Sequence, residues 1–235
     1  MAKQLYFKAL AIAFAGLASI LATLEVQASP RIRLTPTAFD FGFVPAEAKV
    51  THRYWLANDG SDTLIVSQVK PSCGCTTVPL PTDHVPPGDS VPLDLVFSSG
   101  KMSGVVNKSV SVDSNDPDSA RVKVYFTARV AESYAPVEVT PWLVDLSQID
   151  APAQAIRIRN TSKGPLSMNL VVGDPRYLEI SPDTASLAPG SAVDVRVRRA
   201  KGLRPGPFET SFTLWLDGQT PYPLTVPVKG KGYIE

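Results

Sequence analysis

The chain is short of the residues that do most chemistry. It holds two cysteines and two histidines in 235 residues, and nowhere a long run of one charge. Its 23 basic residues nearly cancel its 22 acidic ones, so the strongly basic face that nucleic acid requires is missing. Enzyme signatures are missing as well: there is no G-x-S-x-G, H-E-x-x-H, P-loop or dinucleotide fingerprint. Neither histidine stands beside a nucleophile, so a catalytic triad has no material. These absences point away from an enzyme, from a nucleic-acid partner and from a resident cofactor. Long helices are disfavoured too, because 22 prolines interrupt the chain and each removes a helix hydrogen bond.

What is present begins with an apolar run. Lys3 and Lys8 precede the uncharged stretch Ala9 to Leu24, and Val26-Gln27-Ala28 follows it. Basic start, apolar middle and small-residue site, in that order, read as a secretory signal peptide over residues 1–28. The run is shorter than the ~20 residues a spanning helix needs, and no cysteine follows it to take a lipid anchor. The expectation is a periplasmic or secreted chain that starts at Ser29 and has no membrane span.

The rest repeats itself. At an offset of 102 residues Asn58 maps to Asn160, Leu64 to Leu166, Pro87-Gly88 to Pro189-Gly190 and Gly104 to Gly206. Two modules follow, residues 29–131 and 137–235, joined by the short linker Ala131 to Pro136. Within each module apolar residues alternate with a period of two, the mark of half-buried strands. Val50, His52, Tyr54 and Leu56 share one face of a strand; Val91, Leu93, Leu95 and Phe97 share one face of another. Ile156/Ile158, Val193/Val195/Val197, Phe212/Leu214/Leu216 and Leu224/Val226/Val228 repeat the pattern. Pro-Gly suits a type II turn. About seven strands per module predict an all-β protein of two tandem immunoglobulin-like sandwiches.

The first module reads Phe39-Asp40-Phe41-Gly42, then Val50-x-His52-x-Tyr54-x-Leu56-x-Asn58-x-Gly60, then Ser72-Cys73-Gly74-Cys75-Thr76. Pro86-Pro87-Gly88 and Ser114-Asn115-Asp116-Pro117 come after. In that order these motifs resemble the bacterial domain-of-unknown-function family 1573, marked by SCGCT and akin to Hydin-like and major-sperm-protein-like immunoglobulin folds. The resemblance implies an exported sandwich and, through its scaffold relatives, binding rather than catalysis. It departs at one place: the glycine usual before the His strand is replaced by Glu47-Ala48.

Cys73 and Cys75 are the sharpest chemical feature. Their repeat counterparts are Pro175 and Tyr177, so the fold is built without them. An extended chain sets Cα atoms two residues apart ~6.6–7.2 Å from each other, against the ~4.4–6.8 Å of a disulfide. A bond between them is therefore expected to need a bend at Gly74 and to be strained and exchange-prone. Three readings stay open: a labile disulfide, a copper(I) site in which His84 and Met102 assist the two thiolates, and free or interchain thiols. His52, with Gln154 as its counterpart, is expected to bond a backbone group at the sandwich rim. Asn58, Gly60, Pro87, Gly88, Asn115, Asp116 and Pro117 read as structural. Asp113, Asn115, Asp116 and Asp118 lack the full calcium-loop spacing and suit a hairpin turn.

The leading functional expectation is a non-catalytic protein that binds another protein or an envelope component. A thiol-redox or copper-handling protein centred on Cys73 and Cys75 is the second. The third is an envelope chaperone lending a strand such as Val122-x-Val124-x-Phe126.

Overall fold

The computed structural model describes residues 28–131, 136–150 and 153–233. Apart from Ala28, the expected leader lies outside them, as does most of the linker. Every regular element among these residues is a strand. The first module runs β1 (Ile32–Thr35), β2 (Ala38–Val44), β3 (Lys49–Asn58), β4 (Leu64–Pro71), β5 (Thr76–Thr77), β6 (His84–Val85), β7 (Ser90–Ser98), β8 (Gly104–Ser114) and β9 (Arg121–Val130). The second runs β10 (Val137–Thr140), β11 (Val144–Leu146), β12 (Ala153–Asn160), β13 (Leu166–Val172), β14 (Leu178–Ser181), β15 (Thr184–Leu187), β16 (Ala192–Arg199), β17 (Gly206–Asp217) and β18 (Tyr222–Gly232). Each module thus has nine strands rather than about seven. The surplus includes β5 and β6, two residues each, too short to leave an alternation in the sequence.

The pairing repeats with the sequence. One sheet orders as β1-β3-β7-β5 and its counterpart as β10-β12-β16-β14. The opposing layers order as β6-β4-β8-β9-β2 and β15-β13-β17-β18-β11. In both, the last strand joins in parallel while the rest are antiparallel. Alternation puts Val50, Tyr54, Leu56, Leu93, Leu95 and Phe97 between the layers of the first module, all fully buried. Phe41, Phe97 and Phe126 meet there at ring separations of 5.2 to 6.4 Å. Residues from Val137 to Val228 form a second, separate core. Filling each core accounts for the bulk of the stabilisation, at about 1.5–3 kcal/mol per large side chain.

Asn58 and Asn160 lock each frame in the same way. The Asn58 amide donates to the carbonyls of Asp62 and Val85 at 2.8 and 2.9 Å, and its Oδ1 accepts from the Gly60 N–H at 3.0 Å. Asn160 donates to Gly164 and Leu187 at 2.8 and 3.0 Å and accepts from Ser162 at 2.9 Å. Every partner is displaced by the repeat offset. The following turn is equally matched: Asp89 N–H reaches the Pro86 carbonyl at 3.1 Å, Ser191 N–H reaches that of Ala188 at 3.0 Å, and Gly88 and Gly190 take φ of 78° and 77°. These values are the left-handed position of a type II turn.

The two large layers fuse. β18 meets β2 in parallel at Leu224 and Phe43, making one ten-stranded sheet that crosses both modules. The outer face of β3, which alternation assigns to solvent, instead meets β17: Thr51 N–H donates to Ser211 Oγ at 2.8 Å, and Lys49 pairs with Glu209 at 2.6 Å.

Candidate functional site

Two places stand out. The first is the junction of the modules, and its geometry begins at Gly42. That residue sits at φ 61° in a bulge of β2, with its N–H held by Asp40 Oδ1 at 2.8 Å. A Cβ there would lie 1.8 Å from the Pro223 carbonyl oxygen. Only glycine admits both that backbone and that approach. Beside it Thr225 Oγ1 donates to the Phe41 carbonyl at 2.6 Å and bonds Thr213 at 2.8 Å, so these two buried hydroxyls are satisfied.

Around this contact the sheet opens into a cleft of about 680 Å³ with walls from both modules. Phe43, Val105 and Arg129 line one side, Leu166, Trp215 and Tyr222 the other. Val105 is 61% exposed and Trp215 39%. Phe43 meets Tyr222 edge to face at 5.3 Å, and the Arg129 guanidinium lies 5.6 Å from the Phe43 ring. The Tyr222 hydroxyl is buried without a hydrogen-bond partner, and burial pushes it up to about 12. The lining is mixed, with Asp40, Asn107, Thr127 and Gln219 beside the apolar and aromatic side chains, a combination that a binding cleft offers. Apart from Leu166, named only as a repeat position, and Asp40, named only within a motif, these residues carry no signal in the sequence. Trp215 and Val105 fall on outward parity, and only Gly42, a glycine inside a strand, signalled a close approach.

The second place is the turn from β4 to β5. Ser72 N–H bonds the Ser109 carbonyl on β8 at 2.9 Å, and the Cys75 carbonyl accepts Ser98 N–H from β7 at 2.9 Å. The turn therefore crosses from one layer of the sandwich to the other. Cys73 and Cys75 are joined as a disulfide with Cα atoms 5.2 Å apart, closer than an extended chain allows. The bend does not use glycine's special freedom, since Gly74 is absent from the positive-φ residues. The hydroxyl of buried Thr76 lies 3.5 Å from Cys73 Sγ and 3.8 Å from Cys75 Sγ.

His84 does not join this pair. It stands opposite Ile65 on β4, eight residues before Cys73, roughly 25 Å along an extended strand. Its Nδ1 contacts Asp83 at 2.7 Å. Met102 lies at the end of β7 nearer the pair, its N–H on the Ser99 carbonyl at 3.0 Å, and packs against the same core as Cys75. The set Cys73, Cys75, His84 and Met102 is therefore not assembled, and a disulfide offers no thiolate to a soft metal. Among the described residues no three His, Cys, Asp or Glu side chains gather as a ligand set.

His52 differs from its expectation. It is 8% exposed, and neither ring nitrogen has a hydrogen-bond partner. The ring stacks on Phe39 at 3.6 Å and meets Tyr54 edge to face at 4.7 Å. Burial lowers its pKa to about 4. Gln154, by contrast, accepts the Asp145 N–H at 2.7 Å. The acidic residues after β8 are consumed by the hairpin. Asp116 is buried and accepts from Ile32, Asp118 and Ser119; burial pushes its pKa up, but these N–H groups and Arg31 outweigh that and hold it low. Asn115 Oδ1 takes the Ile65 N–H at 2.7 Å, and Asp113 pairs with Arg121 at 2.6 Å. Pro117 lies within the same turn.

Residues 32–130 match the family described as "Protein of unknown function (DUF1573)". No curated protein matches the sequence. Among solved structures the chain is similar to a protein of unknown function from Porphyromonas gingivalis W83, at 18% identity and TM-score 0.36, over 86% of this chain and 99% of that one. It is also similar to the E. coli chaperone DraB, at 13% identity and TM-score 0.36, over 88% of this chain and 97% of that one. PapD-like domain 7 of human CEP192 is similar at 10% identity and TM-score 0.37, over 45% of this chain and 91% of that domain. The motifs Phe39–Gly42, Ser72–Thr76 and Ser114–Pro117 all lie within the residues that match that family.

Proposed function

We propose that this is an exported, non-catalytic binding protein of the cell envelope that holds a segment of a protein partner in the cleft between its modules. The observation that carries the reading is the cleft itself. Its walls expose Val105 and Trp215, and Asn107 and Arg129 stand on the same lining. A partner that inserts an apolar side chain covers the first pair, and its backbone can meet the second. Export is supported by the leader pattern and by a disulfide, which persists in oxidising compartments.

A second reading, strand addition to a partner in the manner of a chaperone, has one supporting feature. β9, which carries Val122, Val124 and Phe126, is interior: Phe126 pairs with Lys108 on one flank and Phe39 on the other. β7 is the more open strand. It pairs with β3 along Ser90–Ser98, whereas β5 covers only Val96 and Phe97. That leaves a length of backbone able to accept another strand.

Photo-crosslinking residues placed at Val105, Val91 and Ile65 separate these readings in cells. A discrete adduct from position 105 alone supports the cleft. An adduct from position 91 alone moves the function to strand addition. Equal labelling from the control on β4, Ile65, defeats both.

A further inference from the structure

The structure assigns a second activity, apart from the cleft: Cys73 and Cys75 form a thiol–disulfide exchange site. The argument starts from what holds the turn. Ser72 is zipped to β8 by its N–H to the Ser109 carbonyl at 2.9 Å and by its Oγ to the Ser109 N–H at 3.1 Å. Cys75 is zipped to β7 through its carbonyl, and Thr76 pairs with Phe97. None of these bonds involves sulfur. The sulfur–sulfur bond can open and close while both ends of the turn stay fixed, which is the mechanical condition for a reversible redox pair.

The second module shows that the bond is not needed to make the turn. Pro175 and Tyr177 stand in the two positions there, with Leu178 pairing to β16 as Thr76 pairs to β7. A closure spanning so few residues also restrains the unfolded chain least. A structural rivet would have been placed across a longer loop.

The surroundings suit exchange. Cys73 and Cys75 are both half-exposed and Gly74 is exposed. Apart from its two chain neighbours, no residue has an atom within 4 Å of where a Cβ on Gly74 would stand, so the outside of the turn is open. Cys75 packs against the first core, which leaves Cys73 as the sulfur to be attacked. The Thr76 hydroxyl, within reach of both sulfurs, can donate to the one that leaves. A hydrogen bond to a thiolate lowers its pKa and makes it depart faster.

The chemistry balances with a thiol of a partner protein or of a small molecule as co-reactant. A partner thiolate attacks Cys73 Sγ, the Cys73–Cys75 bond breaks, and its electron pair goes to Cys75 Sγ, which then takes a proton. A second partner thiolate attacks the partner sulfur of the mixed disulfide and releases Cys73 as a thiolate, which also takes a proton. In sum, two partner thiols become one disulfide and Cys73 and Cys75 become two thiols. Run backwards, the dithiol reduces a partner disulfide.

The test uses the full chain and glutathione. The folded protein is equilibrated in buffers of graded reduced-to-oxidised glutathione, trapped with a maleimide and weighed intact, with circular dichroism on the same samples. The expected result is a reversible two-thiol transition with unchanged strand signal. Cys75→Ser is expected to accumulate one glutathione on Cys73 from oxidised glutathione. Thr76→Val is expected to slow opening by roughly tenfold and to move the pH profile of thiol alkylation upward. A bond that resists millimolar thiol until the chain is unfolded, or a strand signal lost on reduction, overturns the assignment. So does a Cys75→Ser protein that takes up no glutathione.

Discussion

The turn after β4 and the turn after β13 occupy the same place in two copies of one frame, and they do different things. In the first module the turn carries the disulfide and is tied to β7 and β8. In the second it carries Asp174, Arg176 and Tyr177 and clamps the first module. Arg176 pairs with Asp174 at 2.5 Å and reaches Asp94 at 3.4 Å, while Asp94 also holds Arg53 at 2.6 Å. Burial raises the Asp94 carboxyl, yet the two guanidinium groups outweigh it and keep its pKa low. The framework of Asn58 and Asn160 is common property, so a turn it supports is free to vary. The difference between the modules here lies in that turn rather than in the core.

The largest test breaks the junction on which the comparison rests. Gly42→Ala forces a Cβ against the Pro223 carbonyl and is expected to cost more than about 3 kcal/mol. Urea unfolding should then separate into two transitions, one per module; a single unshifted transition would mean the seam carries no stability.

The next contrasts His52 with Gln154. A folded pKa of about 4 lies below the ~6.5 of an unfolded histidine, so between these values the unfolded chain binds the extra proton. Stability is full above pH about 6.5 and falls by about 3 kcal/mol as pH drops toward about 4. His52→Phe, which keeps a ring against Phe39, should flatten that slope in chemical denaturation run across the range.

Replacing Cys73 and Cys75 together with Ser brings the first turn closer to the second. The expected loss is no more than about 2 kcal/mol, given the three-residue closure, read from thermal melting of the double variant. Arg176→Ala removes the clamp from the other side. These groups are partly exposed, so the loss is about 1 kcal/mol or less, and it should shrink further when Asp94 is already Asn. The smallest effect is a gain. Glu47 sits at φ 55° with its N–H on the Gly100 carbonyl, at the place where the resemblance leads one to look for glycine. Glu47→Gly should add a few tenths to about 1 kcal/mol by relieving a left-handed side chain.

Much of this frame was legible because its determinants are local. Alternation names Val50, Tyr54, Leu95 and Phe97 as buried, and Pro-Gly names the turns. The offset of the repeat pairs Asn58 with Asn160 before any coordinates are seen. The junction was not legible. Leu224 reads as a core residue whether or not Phe43 lies beside it, and the strand edges that meet there are far apart in sequence. Thr51 and Trp215 fall on outward parity, which is read as solvent when the second module is out of view. His52 was assigned an inward face but given a backbone partner. The stack on Phe39 depends on how β2 lies over β3, which no spacing within β3 encodes. The disulfide was legible as a candidate, and its Cα separation was not, because the bend comes from bonds to β7 and β8.

The fusion of the two large sheets has a consequence for how a ligand is met. β18 gives Leu224 to β2 and Val228 to Gly230 to β11 of its own module, so one strand belongs to both the junction and the second core. The cleft beside it has one wall from each module. On the proposed reading a guest bears on both modules at once, and a change at the seam reaches it as surely as a change in the lining.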